Sequence, residues 1–212
     1  PTTSSAASDV YKRQVINGQA DASMGSSVSS IFNKTNASPR GLFFPPMPHN
    51  DEAGWKRAIA VAPHFAKAVV TNFVGSSDSN KSFEGMNYPY PIFVTMEKTS
   101  EDLSYHLTEA VMENYDQFKD SGPGMDGYQL SNQNFSWIFP YHPGAVKYYK
   151  KKGVWTSKHG KHNSNLIKRQ DVLAKAWQKT LKANLSGDAF KKKWLENRAS
   201  ALKAAGMPNA YN

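Results

Sequence analysis

The sequence contains no cysteine among its 212 residues. That absence excludes a disulfide framework, a thiolate nucleophile and any zinc or iron–sulfur site built on cysteine. The chain also lacks a run of about eighteen consecutive apolar residues, so it predicts no segment that spans a membrane. Neither a glycine-rich phosphate loop nor a Gly-x-Ser-x-Gly elbow occurs, which argues against a nucleotide site and a serine hydrolase. We therefore expect no catalytic residues, no metal and no cofactor.

What the chain does contain is the composition of a folded protein. Hydrophobic residues make up 39% of the sequence and aromatic residues 12%, which is too many for a disordered chain. A chain of this length forms one large domain or two small ones. Either arrangement can bury a sizeable core.

Residues 1–14 have the character of a non-native segment. Residues 4–14 (SSAASDVYKRQ) show no hydrophobic period, and with allowed codons they back-translate in frame into a sequence similar to a transposase-based sequencing adapter. A natural Ser/Ala-rich linker is the alternative interpretation. We exclude residues 1–14 from the fold prediction. We expect the natural sequence to begin at Val15 as a fragment, with a signal peptide and an N-terminal portion lost by truncation.

Positive charge is concentrated toward the C-terminal end. Residues 147–212 contain 16 Lys/Arg and 3 Asp/Glu, whereas residues 1–146 contain 10 and 14. The favoured interpretation is a solvated helical region, because apolar residues at helical spacing interrupt the lysines and place them on outward faces. The alternative is a basic module that binds nucleic acid, or a membrane surface, through the Lys-rich C-terminal helices.

Hydrophobic runs bounded by turn-forming residues predict strands in the first half of the chain. The expected strands are residues 41–44, 66–73 and 88–96. Asn50 and Asp51 are good caps for a helix over residues 52–62. Strands therefore alternate with helices early, and helices dominate late. This order predicts an α/β lobe over residues 15–98 and a helical region over residues 99–212.

The second half predicts four helices. The first is capped by Ser100 or Thr99, and the others begin at Pro143, Asn163 and Asp188. The inward side chains of the first are expected to be Leu103, Leu107, Ala110, Val111 and Phe118. Packed interfaces are expected to include Trp137, Trp177 and Trp194.

Histidine is the one residue type with metal-ligand spacing. His159 and His162 have the His-x-x-His spacing, and His142 precedes them. A metal site is the less favoured interpretation, because it needs a third ligand and because Lys158 and Lys161 would repel a cation. We interpret the His-x-x-His pair as surface-loop residues. His142 is interpreted as a structural residue that fixes the turn before a helix.

The loop of residues 24–30 is the candidate for binding a small ligand. Its small residues (MGSSVSS) allow close approach of a backbone, and it precedes a predicted helix. A helix N-terminus offers unpaired N–H groups and positive potential to a carboxylate. The alternative interpretation is an ordinary solvated loop.

Several stretches together resemble one family. Residues 140–155 (PYHPGAVKYYKKKGVW) resemble the Pro-x-His-Pro-Gly-Ala-x-x-Tyr-Tyr-x-x-x-Gly-Val signature near the end of the TAXI-type solute-binding proteins of TRAP transporters. Residues 17–22 (NGQADA) resemble the element that precedes the family's small-residue loop. Residues 88–95 (YPYPIFVT) and 102–115 (DLSYHLTEAVMENY) resemble its strand and following helix, with Glu109 where a lysine is common.

The resemblance implies a periplasmic receptor rather than an enzyme. Its fold would be the second lobe of a type II periplasmic-binding-protein-like α/β architecture plus C-terminal helices, with the N-terminal lobe incomplete. Its ligand would be a small organic anion, a carboxylate, delivered to the membrane subunits of a TRAP transporter. No nucleic acid partner is implied. The small-residue loop would face the cleft, with Gly25, Ser26 and Ser27 as ligand-binding residues.

Overall fold

The computed structural model describes residues 13–88, 92–122 and 124–210. Within them the chain is rich in helix and has one two-stranded sheet. Residues 13–16 are helical, and the further α-helices are α1 Ser30–Asn36, α2 Glu52–Val61, α3 Glu101–Glu113, α4 Tyr115–Phe118, α5 Pro143–Lys151, α6 Ser157–Leu181 and α7 Gly187–Ala204. The strands are β1 Ala66–Val70 and β2 Phe83–Asn87, and two short 3₁₀ helices cover Met125–Tyr128 and Leu130–Asn132. Among the described helices, none is both long and apolar enough to cross a bilayer.

The small sheet is an antiparallel hairpin next to a cluster of phenylalanines. Its register runs from Ala66 opposite Asn87 to Val70 opposite Phe83. Four rings form the phenylalanine cluster: Phe32, Phe44, Phe73 and Phe83. Ring centroids of the contacting pairs lie 5.1 to 5.8 Å apart, a spacing at which aromatic pairs contribute beyond the burial of their area. Residues far apart in the sequence are thereby held together by this cluster.

The strand predicted at residues 41–44 is wrong. The segment is irregular, and the two prolines that follow it have no N–H with which to continue a ladder. Phe44 packs instead into the phenylalanine cluster, stacked on Phe83 at 5.4 Å between centroids. The chain then contacts the sheet through one backbone bond, in which the N–H of Met47 donates to the carbonyl of Glu84 at 2.7 Å.

The other two strand predictions are partly wrong. The strand predicted over residues 66–73 ends at Val70, because its partner β2 begins opposite that residue at Phe83. The strand predicted over residues 88–96 lies beyond β2. Its residues 89–91 are outside the described residues, and residues 92–96 are irregular. Their side chains are largely exposed, with Val94 at 79%.

Helices α3 and α5 pack through small residues. Ser100 caps α3 as predicted, its Oγ accepting from the N–H of Leu103 at 3.1 Å. Ser104 is buried, and a Cβ added to Gly144 would lie only 2.8 Å from the Ser104 Cβ. The predicted inward face is therefore wrong: Leu103 and Leu107 are 60% and 47% exposed. Because the backbones approach so closely, α3 turns its serine, not its leucines, toward α5.

A second core forms where α5 meets the segment before it. Its buried members are Phe135, Tyr148 and Tyr149. Trp155 packs against the Phe135 ring at 5.4 Å between centroids, with the rings at 68°. Residues on both sides of α5 are thus fixed to one aromatic centre.

Helices α6 and α7 form an antiparallel hairpin. Its buried contacts include Ala176, Thr180 and Leu202, and the Asn197 amide donates to the Thr180 hydroxyl at 3.0 Å. Trp177 does not lie fully inside this interface, since it is 39% exposed. The indole nevertheless contacts the rings of Phe190 and Trp194 on α7.

Two arginines hold the chain end onto this hairpin. Arg169 Nη1 donates to the carbonyl of Pro208 at 2.7 Å. Arg198 donates to the side chain of Asn209 and to the carbonyl of Ala210. Burial, with the nearby charge of Arg169, lowers the pKa of Arg198. Both guanidinium groups are therefore used in binding the protein's own backbone.

Candidate solute-binding site

The small-residue loop is joined to the turn that follows β1. The Ser27 hydroxyl donates to the carbonyl of Asn72 at 2.8 Å. The N–H of Val74 donates to the carbonyl of Ser27 at 3.0 Å. Gly25 and Ser26 are exposed, whereas Ser27 is half-buried. The loop is thus positioned by Ser27, and the two residues before it face solvent.

Val74 also forms part of the wall of an open pocket of about 250 Å³. Its lining residues are Leu42, Phe43, Phe44, Pro46, Phe73, Val74, Gly75, Asn80 and Phe83. Gly25, Ser26 and Ser27 are not among its lining residues, and a backbone bond from Val74 to Ser27 joins the loop to the pocket wall. The structure therefore brings the predicted ligand residues beside a pocket rather than into one.

The pocket walls are mostly apolar. Phe44, Phe73 and Phe83 of the phenylalanine cluster form much of the lining, and Asn80 contributes the polar side chain. Gly75 adopts a positive φ of 83°, a conformation that favours glycine. A Cβ at that position would lie 3.0 Å from the Asn36 amide oxygen. Such walls can hold the hydrocarbon part of a solute. The exposed small-residue loop beside them offers hydroxyl and backbone donors.

Cations are not part of this pocket wall. Arg40 is exposed and lies against Gly18, two residues before the lining residue Leu42. Arg169 and Arg198 bind the chain end, as described above. A charged solute at this pocket would therefore depend on neutral donors, as anion sites built from backbone N–H groups and hydroxyls do.

The histidines hold backbone turns. The Nδ1 of His142 accepts from the N–H of Gly144 at 3.2 Å at the start of α5, which confirms the structural role predicted for it. His159 and His162 are not loop residues, because α6 begins at Ser157 rather than at Asn163. The imidazole of His159 accepts from the N–H of Thr156 at 3.2 Å in a capping box.

His162 is used in the same way. Its Nε2 lies 2.7 Å from the carbonyl of Trp137 and bonds to it. In the part of the chain that the structure describes, no group of three or more histidines and carboxylates could hold a metal ion. The histidines are thus explained by local structure.

The signature at residues 140–155, which we call the His-Pro-Gly-Ala block, contains residues that pack α5 against α3. The Tyr148 hydroxyl donates to Glu113 at 2.8 Å. Burial raises the pKa of Tyr149 and, together with the bond to Glu113, that of Tyr148. Burial also raises the pKa of Tyr141 to about 12. The phenols therefore remain neutral and act as packing and hydrogen-bonding groups.

The sequence interpretation missed the phenylalanine cluster. Its members are spread from Phe32 to Phe83 without a common period, and the pocket that they line forms only when a turn, two loops and β2 meet. It also missed Trp55, which is buried and donates to the carbonyl of Pro48 at 3.0 Å. The composition, with 11 Phe and 5 Trp, was the one available signal.

The chain is similar to a known protein family over part of its length. The model of the NMT1-like family matches residues 50–153. That family is periplasmic-binding-protein-like and includes solute-binding proteins of TRAP and ABC transporters. No curated protein matches the chain, and no solved structure does.

The match runs from just before α2 to Gly153, two residues before the end of the His-Pro-Gly-Ala block. It includes both strands, α3 and α5, and it excludes the small-residue loop and the α6–α7 hairpin. Members of that family are in general extracytoplasmic binding proteins with a small-ligand partner. Proteins of this class are in general not enzymes.

Proposed function

We propose that this chain is part of the extracytoplasmic solute-binding component of a TRAP-type secondary transporter. Its ligand is a small organic anion, a carboxylate, which it delivers to the membrane subunits. The protein is periplasmic and carries out no catalysis. The match of the NMT1-like family model to residues 50–153 carries the proposal, and the TAXI-type signature at residues 140–155 narrows it to the TRAP class.

We assign the parts of the chain to this function as follows. Residues 15–98 form the α/β material of the second lobe of a type II periplasmic-binding-protein-like fold, and residues 99–212 form helices that brace the lobes. Residues 1–14 are not native. Exposed apolar side chains on α3, such as Leu103 and Leu107, supply a surface that the rest of a longer receptor would cover.

The charge pattern of α5 argues against nucleic acid binding by this helix. Lysine side chains in and just after this helix face acidic side chains of α3. The pairs are Lys147–Glu101 at 3.8 Å, Lys151–Glu109 at 3.2 Å and Lys152–Glu113 at 2.5 Å. Cations that are already paired release fewer counterions on binding a polyanion.

The proposed cleft residues can be tested by one substitution. Ser26 is exposed, so Ser26→Leu changes the loop surface without removing a buried contact. A carboxylate at a hundredfold excess over its dissociation constant stabilises a one-site receptor by about 2.7 kcal/mol, or about 5–10 °C in Tm. We expect a panel of small carboxylates to contain at least one with this effect, and Ser26→Leu to abolish it.

The matched control is Ser164→Leu on α6. Ser164 is also exposed and lies outside the residues of the proposed cleft. It should leave both the Tm without ligand and the ligand shift unchanged. A carboxylate whose stabilising effect persists in Ser26→Leu would place binding elsewhere on the chain.

A further inference from the structure

The structure divides the lysines of the C-terminal region into two groups. Lys147, Lys151 and Lys152, in and just after α5, are paired with α3, as described above. On α6 and α7, among the described residues, the single lysine–carboxylate pair is Lys193–Glu196 at 3.3 Å. Residues 157–210 contain twelve Lys/Arg and three Asp/Glu. The hairpin therefore carries a positive charge that the rest of the described chain does not neutralise.

Four of these lysines lie near the end of the hairpin where α6 turns into α7. We call residues 177–192 the hairpin tip, and its lysines are Lys179, Lys182, Lys191 and Lys192. All four are exposed. The tip contains a single carboxylate, Asp188, in the first turn of α7.

The same end of the hairpin exposes large apolar side chains. Trp177, Leu181 and Leu185 are 39%, 44% and 41% exposed. The rings of Phe190 and Trp194 lie 5.2 and 5.0 Å from the Trp177 ring, nearly perpendicular to it. An aromatic group, two leucines and four lysines thus share one end of a rigid helical pair.

We propose that the hairpin tip docks on a bilayer surface that contains anionic phospholipid. Tryptophan is enriched at membrane–water interfaces, and lysine side chains near an anionic leaflet are attracted to it. Lysine stems can lie along apolar surface while their ammonium groups reach the phosphates. This docking goes beyond solute binding, and it would hold the protein at the membrane without a spanning segment.

The apolar part of the tip favours lipid over a nucleic acid. Nucleic acid modules use aromatic faces on which bases stack, but the Trp177 ring already contacts Phe190 and Trp194. Leu181 and Leu185 offer aliphatic surface, which suits acyl chains and provides no stacking platform. Apolar insertion and a cationic cluster are the two contributions that together give stable peripheral binding.

The test is co-sedimentation of the 212-residue chain with lipid vesicles. Vesicles of phosphatidylcholine alone are compared with vesicles of equal parts phosphatidylcholine and phosphatidylglycerol. We expect binding to the anionic vesicles that weakens as salt increases. Replacing the four tip lysines by glutamine should lower the partition coefficient by at least about tenfold.

The matched control replaces four lysines away from the tip by glutamine. Lys158, Lys161, Lys168 and Lys203 are exposed and lie about 20 Å or more from the connecting loop along their helices. This variant has the same net charge as the tip variant and should retain most of the binding. Equal loss in both variants would overturn the proposal, because net charge and not the tip would then govern binding.

Two further results decide the nature of the partner. The double variant Leu181→Gln/Leu185→Gln keeps every lysine and should weaken vesicle binding, because it removes the aliphatic surface. Circular dichroism of each variant confirms that the helices remain folded. Absence of binding to anionic vesicles at low salt would overturn the proposal. It would also be overturned if single-stranded DNA displaced the chain from vesicles and bound the Leu181→Gln/Leu185→Gln variant as tightly as the parent chain.

Discussion

At the scale of single residues, the most demanding position is Gly144. Its backbone lies against the carbonyl of Glu101 and the backbone of α3, and an added Cβ would lie 2.6 Å from the nitrogen of Tyr105. These are backbone atoms of a helix, which cannot move aside as the end of a flexible side chain can. The glycine of the His-Pro-Gly-Ala block is therefore explained by helix packing.

Gly144→Ala should destabilise the protein by about 1–3 kcal/mol, the usual cost of inserting atoms into a packed interface. Urea denaturation followed by circular dichroism measures this change. The control is Gly127→Ala, where an added Cβ meets nothing within 4 Å and the expected change is within about 0.5 kcal/mol. Similar values for the two variants would show that α3 and α5 do not approach as closely as described.

At the scale of elements, the α3–α5 pair is held by ionic hydrogen bonds at its surface. Bonds from Lys151 and then Tyr105 lower the pKa of Glu109. Bonds from Lys152 and then Tyr148 lower the pKa of Glu113. A carboxylate whose pKa is lower in the folded chain stabilises the fold above its unfolded pKa, and that contribution is lost as the pH falls.

The Tm should therefore decrease as the pH falls below the ordinary glutamate pKa of 4.5 toward the lowered values in the folded chain. In Glu113→Gln this decrease should be shallower, because one of the two lowered carboxylates is absent. Thermal melts followed by circular dichroism across this pH range measure both slopes. A variant with the same acid dependence as the parent protein would contradict the role given to Glu113.

In the α6–α7 hairpin, two large side chains differ in how far they are buried. Leu202 is fully buried, whereas Trp177 is 39% exposed. Leu202→Ala should cost about 2–5 kcal/mol, and Trp177→Ala should cost less than the about 3–5 kcal/mol of a fully buried tryptophan. Urea denaturation of both variants gives the comparison. A larger loss for Trp177→Ala than for Leu202→Ala would contradict this packing.

Helices were more predictable than strands because their ends carry chemical signals within a few residues. Ser100 and Asp51 were each one of two adjacent cap candidates in the sequence, and both side chains accept the expected backbone bonds. The start of α6 was missed because its cap depends on a histidine side chain, His159, in place of the usual glutamate. The inward face of α3 was missed because it depends on Gly144, which lies far along the chain.

The phenylalanine cluster and its pocket could not be predicted for a related reason. Neither Phe32 nor Phe73 belongs to a periodic pattern that specifies its partners, and their contacts depend on the tertiary path of the loops. The small-residue loop could be predicted as a loop from its composition. Its bond to Asn72 joins residues 45 positions apart, and no local signal specifies such a pairing.

At the scale of the whole molecule, several large apolar side chains of the described residues lie on the surface. Phe43, Phe93 and Met96 are 79%, 65% and 78% exposed. Exposed apolar area on this scale fits a chain whose lobe and helices are completed by further receptor structure, as we propose.

The most direct test of the account is equilibrium dialysis of the chain against two versions of one small solute. One is an organic carboxylate that raises the Tm, and the other is its neutral primary amide, which has nearly the same shape. We predict that the chain retains the carboxylate at least about tenfold more tightly, a difference of about 1.4 kcal/mol. Equal retention of the two compounds, or retention of neither, would contradict the claim that this chain binds organic anions.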